Sequence, residues 1–209
     1  MRILPILLSV LAFTLSSGAT PSLAQELPKP DGTLKTEDLM SPGPFPDMVL
    51  GVDSAPVTIV LYTSLDCAHC GRFHAETFDK LKKQYIDTGK ARFVLREFPY
   101  TPAAAYGAAL ARCSPSTPAA ASTTAQYYET VSLIFKNGVK PGAKAAGFTD
   151  ATIKACVQDQ KMADNMEKVR DRPMQAFGIN STPTIIINGD VYRNPMTFEV
   201  LARIIEKHA

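Results

Sequence analysis

The chain has 209 residues, 45% of them apolar, with 22 basic and 20 acidic side chains and a net charge of +2. That length can bury a sizeable core in one domain. So even a charge balance excludes electrostatic capture by nucleic acid or by an anionic membrane surface.

Residues 1–24 read as a secretory signal: Arg2, an apolar run from Ile3 to Phe13, and Ser22-Leu23-Ala24 ahead of Gln25. The apolar run is too short to span a bilayer, where about 20 residues are needed. No later segment is long and apolar enough, so membrane insertion is not expected. Cleavage after Ala24 leaves a chain starting at Gln25. Export places its four cysteines in an oxidising compartment. Residues 25–50 are proline-rich and lack periodicity, which predicts an extended arm. They carry no heptads, so no coiled-coil stalk is expected and the chain reads as a monomer.

PVTIVLYT (56–63) is a run of β-branched and apolar residues that predicts a buried strand. The pair Cys67-Ala68-His69-Cys70 follows at once. A helix is expected next, with Phe78, Leu81 and Tyr85 on one face and Gly89 as its stop. ARFVLREF (91–98) is a second strand, so strand, helix and strand form one parallel βαβ unit. A helical block occupies about 101–177. Thr101-Pro102 caps its first helix, and Asn137-Gly138 closes a second, AQYYETVSLIFKNG. TDATIKACVQDQ is a third, and the fourth, through residues 161–178, should break or kink at Pro173. The period then changes. TPTIIINGDVYR predicts two strands around an Asn188-Gly189 turn, and PMTFEVLARIIEKHA a closing helix with Phe198, Leu201 and Ile205 as its apolar stripe. Without the helical block, a small mixed-sheet α/β domain remains.

Cys67 falls where strand gives way to helix. The first turn of a helix presents unpaired N–H groups and about half a unit of positive charge, which favours thiolate over thiol. Thiols so placed fall from about 8.5 to roughly 3.5–7.5. His69 could add a donor or a positive charge. Cys70, one turn on, can close a disulfide with Cys67, so the pair reads as a reversible two-electron store in which Cys67 attacks and Cys70 resolves. A metal site would need two more ligands. The chain has three histidines and no second CxxC or HxxxH, so no metal and no other cofactor is expected, and His74 reads as an exposed helical residue. A purely structural Cys67–Cys70 bond closes too short a loop to stabilise much. Cys113 and Cys156 fall in insertion helices. They are either two buried thiols or, since Cys67 and Cys70 leave each no other partner in an exported chain, a second disulfide. That bond would join the first insertion helix to the third and stabilise by about 4 kcal/mol on a loop-entropy argument.

GVDSAPVTIVLYTSLDCAHCGRFH (51–74), AQYYETVSLIF (125–135) and GINSTPTIIINGDVY (178–192) resemble the DsbA-like branch of the thioredoxin superfamily, in that order of motifs. The resemblance covers roughly Met48 to the C-terminus. It implies a thioredoxin fold (βαβ…ββα) over 51–209, with the helical insertion between the two halves. It also implies that Pro183 is cis and faces Cys67, and that the Thr182 backbone binds an extended peptide as an added strand does. The function implied is a periplasmic protein thiol–disulfide oxidoreductase that donates a Cys67–Cys70 disulfide to unfolded or partly folded exported proteins. A DsbB-like membrane partner would recycle it. The alternatives are a reductase or isomerase on the same fold, or a non-catalytic peptide-binding chaperone. Three positions depart from the family's pattern. Leu61 stands where the family often has a buried acid, Ser181 where glycine is common before Thr-Pro, and Ala68 where Pro-His is usual.

Overall fold

The computed structural model describes residues 26–209; the segment read as a signal, residues 1–24, lies outside them. A six-stranded sheet has the order β1-β6-β5-β3-β4-β2. Its centre is β3 (Val57–Thr63), parallel to β4 (Ala91–Glu97) and antiparallel to β5 (Thr184–Ile187). β5 turns into β6 (Asp190–Tyr192) through Asn188 (φ 47°) and Gly189 (φ 97°). Positive φ at both central residues is what a twisted two-residue hairpin requires, which is why Asn-Gly stands there.

All seven residues of β3 are buried, so both faces of the sheet are covered. Alternation sorts them. Val57, Ile59 and Leu61 join Phe93, Leu95, Ile185 and Ile187 on one face. Val60 and Tyr62 join Val94, Ile186 and Val191 on the other. Each side chain of this size contributes about 1.5–3 kcal/mol when fully buried. The first face is covered by the helical crossover between β3 and β4. It begins as α2 (Ala68–Phe73) and runs unbroken through a π segment (His74–Phe78), α3 (Asp79–Leu81) and a second π segment (Lys82–Ile86). Phe78, Leu81 and Tyr85 are its buried stripe.

The second face is covered partly by residues 26–50, the described part of the segment 25–50 expected to be an extended arm. This part is docked on the sheet. It supplies the edge strands β1 (Gly32–Thr33) and β2 (Met48–Leu50), and between them α1 (Thr36–Leu39), whose Leu39 is buried against Val60 and Tyr62. Two buried arginines hold it. Arg96 grips Asp47 through two hydrogen bonds of 2.9 and 2.7 Å and donates to the Leu39 carbonyl at 2.7 Å. Arg112 grips Glu97 at 2.7 Å twice and donates to the Pro46 carbonyl. These pieces are too short to show periodicity.

The insertion has five helices among the described residues, one more than expected: α4 (Pro102–Arg112), α5 (Thr124–Asn137), α6 (Val139–Ala145), α7 (Asp150–Val157) and α8 (Gln160–Phe177). The additional helix is α6, which contains Pro141 and starts directly after Gly138. Thr101 caps α4, its side chain accepting from the Ala104 N–H, with Pro102 in the first turn. α8 runs through Pro173 rather than breaking there. Cys113 and Cys156 form a disulfide with a Cα–Cα distance of 6.2 Å, within a small core of their own with Leu110, Phe148 and Ile153. It joins α4 to α7, the fourth insertion helix. α9 (Phe198–His208) closes the chain, with Leu201 and Ile205 on the first face of the sheet. No helix among the described residues is long and apolar enough to cross a membrane.

Candidate active site

β3 ends at Thr63, and four residues later Cys67 caps α2. Its backbone is extended (φ −83°, ψ 120°), its N–H donates to the Ser64 carbonyl at 3.1 Å, and its carbonyl receives the Gly71 N–H at 3.0 Å. The sulfur therefore sits over the unpaired N–H groups of the first turn. Cys67 is half-buried and Cys70 is 1% exposed; both are free thiols. Cys67 is thus the sulfur an incoming group can reach. Across from it, the Thr182–Pro183 peptide is cis, and the Cys67 thiol donates to the Thr182 carbonyl at 3.6 Å. The strand–turn–helix that carries the cysteines and the loop before β5 meet because β3 and β5 are paired neighbours.

The two thiols are pushed in opposite directions. Burial, the largest single influence, raises Cys67. The main-chain N–H of Cys70, the side chains of Thr182 and Cys70, and the main-chain N–H of His69 together outweigh it, and the thiol ends below its ordinary value. At Cys70 burial dominates and pushes the thiol up to about 11. Contacts from the Thr63 side chain and the Ser64 N–H oppose that rise without cancelling it. One sulfur is prepared to carry charge and the other to keep its proton.

His69 reaches Cys67 through its main chain. Its ring is exposed, and Arg72 Nη2 lies 2.7 Å from Nδ1. Arginine has only donors, so Nδ1 accepts in this contact. His74, expected on the surface, is half-buried. It stacks on Phe78, lies against Phe135 and hydrogen-bonds Ser132 at 2.9 Å. Burial lowers its proton affinity. Among the described residues no group of three or more His, Cys, Asp or Glu could hold a metal.

Several neighbours of the thiols carry no motif. The Thr63 hydroxyl is buried without a hydrogen-bond partner in the resting site, and its side chain favours the Cys70 thiolate. Asp66, beside Cys67, is held by Ser64 at 2.7 Å and by the Thr101 hydroxyl. Tyr100 is pushed up to about 12 by burial first and then by charge on Cys67 and Cys70. A polar residue ending an apolar strand was the only sequence signal for Thr63. Tyr100 had none.

A family model described as thioredoxin matches residues 45–207. The chain belongs to the thioredoxin family. Its fold is the thioredoxin fold with a helical insertion, and it is DsbA-like. The crystal structure of alpha-DsbA1 from Wolbachia pipientis superposes with a TM-score of 0.69 at 25% identity, over 82% of this chain and 94% of that one. A putative protein-disulfide oxidoreductase of Rickettsia bellii is 28% identical over 68% of this chain and 57% of its own length. This chain thus spans little more than half of that relative. The disulfide bond formation protein D of Bacillus subtilis is 28% identical over 76% of this chain and 75% of its own.

Proposed function

We propose that this chain is a periplasmic thiol–disulfide oxidoreductase that donates a Cys67–Cys70 disulfide to exported proteins. Residues 1–24 would be its cleaved export signal and residues 51–209 its working domain, with residues 25–50 docked on it. The observation that carries the reading is the asymmetry of the two sulfurs: an accessible Cys67 lowered by the helix N-terminus, and a buried Cys70 raised to about 11.

A client thiolate attacks Cys67 Sγ of the oxidised protein, and the Cys67–Cys70 bond breaks. Cys70 leaves as a thiolate and takes a proton. A second client thiolate then attacks the client sulfur of the mixed disulfide. The client disulfide forms, and Cys67 leaves as a thiolate. Two electrons have passed from client to protein. Stabilising the leaving Cys67 thiolate favours this direction. Each unit by which its value is lowered is worth about 1.4 kcal/mol, or about 30 mV towards the oxidising end. The Thr182 carbonyl would meet the client main chain. A groove lined by His69, Arg72, Phe73, Pro183, Ile185 and Phe198 would hold client side chains on that side. A membrane partner resembling DsbB would reoxidise the dithiol.

The test is the equilibrium of the Cys67–Cys70 couple with glutathione. A disulfide reduced at low ratios of reduced to oxidised glutathione supports a donor. A disulfide that survives excess reduced glutathione would show a reductase instead.

A further inference from the structure

Tyr100 is 45% exposed, one of three large apolar side chains so exposed among the described residues. It is braced edge-to-face on Phe98 at 4.3 Å between ring centroids, so the ring is held rather than loose. It lines a groove of about 420 Å³ between α4 and α8 with Tyr106, Met162, Ala163 and Met166, and the exposed Glu167 and Arg170 stand on the α8 side of that groove. Met166 is buried, Tyr106 and Met162 are half-buried, and Ala163 is exposed. The groove is separate from the one beside Pro183, and the two share no lining residue.

Its position says what would enter it. In a mixed disulfide the client sulfur is bonded to Cys67, so the client chain must leave that point in two directions. One direction runs along Thr182. The other passes Asp66, which precedes Cys67 and is hydrogen-bonded to Thr101. Thr101 caps α4 and itself lines the groove. The groove is therefore continuous with the reacting sulfur through one side-chain contact. Its lining suits many sequences. Methionine is flexible and adapts to irregular shapes, and tyrosine presents a rigid ring with a polar edge.

We propose that this α4–α8 groove takes an apolar side chain of the client polypeptide, a few residues from the cysteine bonded to Cys67 and on the side away from Pro183. The inference rests on the thiol-exchange reading and adds to it a preference for clients with an apolar residue on that flank.

The test compares disulfide transfer from the oxidised full protein to three substrates: glutathione, a polar peptide with one cysteine, and the same peptide with phenylalanine flanking the cysteine on either side. Rates are expressed relative to glutathione. The wild-type protein should prefer the phenylalanine peptide by about tenfold, the effect of burying part of one such side chain. Ala163→Glu adds a second carboxylate, one turn before Glu167, to the groove wall from an exposed helical position that tolerates it. Tyr106→Ala removes a wall. Both should erase the preference, while Ala163→Gln should retain part of it. A wild-type protein without the preference, or variants that retain it in full, would overturn the groove alone. A wild-type protein that does not react with glutathione would overturn the exchange reading beneath it, and the groove with it.

Discussion

In the reverse of the donor reaction Cys70 displaces a client from Cys67 and re-forms the Cys67–Cys70 bond, so it must first lose its proton, and burial pushes its thiol up to about 11. The carboxylates nearby in the fold are committed elsewhere. Glu97 is locked to Arg112 by two hydrogen bonds, Asp66 is held by Ser64 and Thr101, and Leu61 occupies the position of the family's buried acid. The Thr63 hydroxyl and Ser64 N–H then stand as the groups that meet the Cys70 thiolate as it forms. Thr63→Val keeps the shape and removes the hydroxyl. A hydrogen bond to a charged group is worth about 1.5–3 kcal/mol, so losing it should cost about tenfold in rate. Mixed disulfides with a single-cysteine client, which only Cys70 can release, should persist about tenfold longer in Thr63→Val when trapped by acid quench and return to the wild-type lifetime in Thr63→Ser. An unchanged lifetime would leave Thr63 a packing residue. At this scale the sequence exposed the two cysteines and Thr182-Pro183, because their spacing is a motif. It did not reveal Arg72 as a partner of the His69 ring, since the partner a flexible side chain meets depends on a neighbour one turn on. It was silent on Thr63 and Tyr100, which become neighbours of the sulfurs only when the sheet forms.

Among the elements, the segment before β3 is the one that sequence patterning described least well. Its strands are two and three residues long, below the length at which alternation can be recognised. Two arginines hold it, Arg96 on Asp47 and Arg112, oriented by Glu97 of β4, on the Pro46 carbonyl, both on elements that patterning did place. The Arg112–Glu97 pair is nearly sealed, with side-chain exposures of 5% and 2%. Removing one partner of such a pair leaves an uncompensated buried charge, at a cost of about 3–5 kcal/mol. Glu97→Gln should therefore lower unfolding stability by about 3 kcal/mol in urea, while Glu97→Leu with Arg112→Met should restore most of it. A single variant as stable as the wild type would show that the pair does not stabilise the fold. The Asn-Gly hairpin and the Thr101 cap were legible because each rests on chemistry within four residues. α6 was not, because Pro141-Gly142 reads as a loop. Gly142 is needed there: a Cβ would come within 2.5 Å of the α5 backbone at Leu133 and Ile134.

For the molecule as a whole, the thiols link redox state to stability through pH. In the reduced protein Cys67 lies below its ordinary 9.0, so its contribution is complete above 9 and is lost as pH falls through the lowered value. Cys70 is raised from 9.0 to about 11, so its contribution is complete below 9 and is lost as pH rises towards 11. The oxidised protein titrates at neither sulfur. The stability of the reduced form relative to the oxidised form should therefore rise with pH up to about 9 and fall between about 9 and 11, measured by denaturant unfolding of both forms in parallel. A difference that changes in one direction only would mean the two sulfurs do not oppose one another.

The central claim is that clients exchange at Cys67 while Cys70 bonds only to Cys67. It is tested most directly by mixing an unfolded client that carries one disulfide with the reduced Cys70→Ser and Cys67→Ser variants, then mapping the mixed disulfides. The account predicts that Cys70→Ser accumulates client bonded to Cys67, and that Cys67→Ser accumulates none. Client trapped on Cys70 in the Cys67→Ser variant, with none on Cys67 in the other, would contradict it.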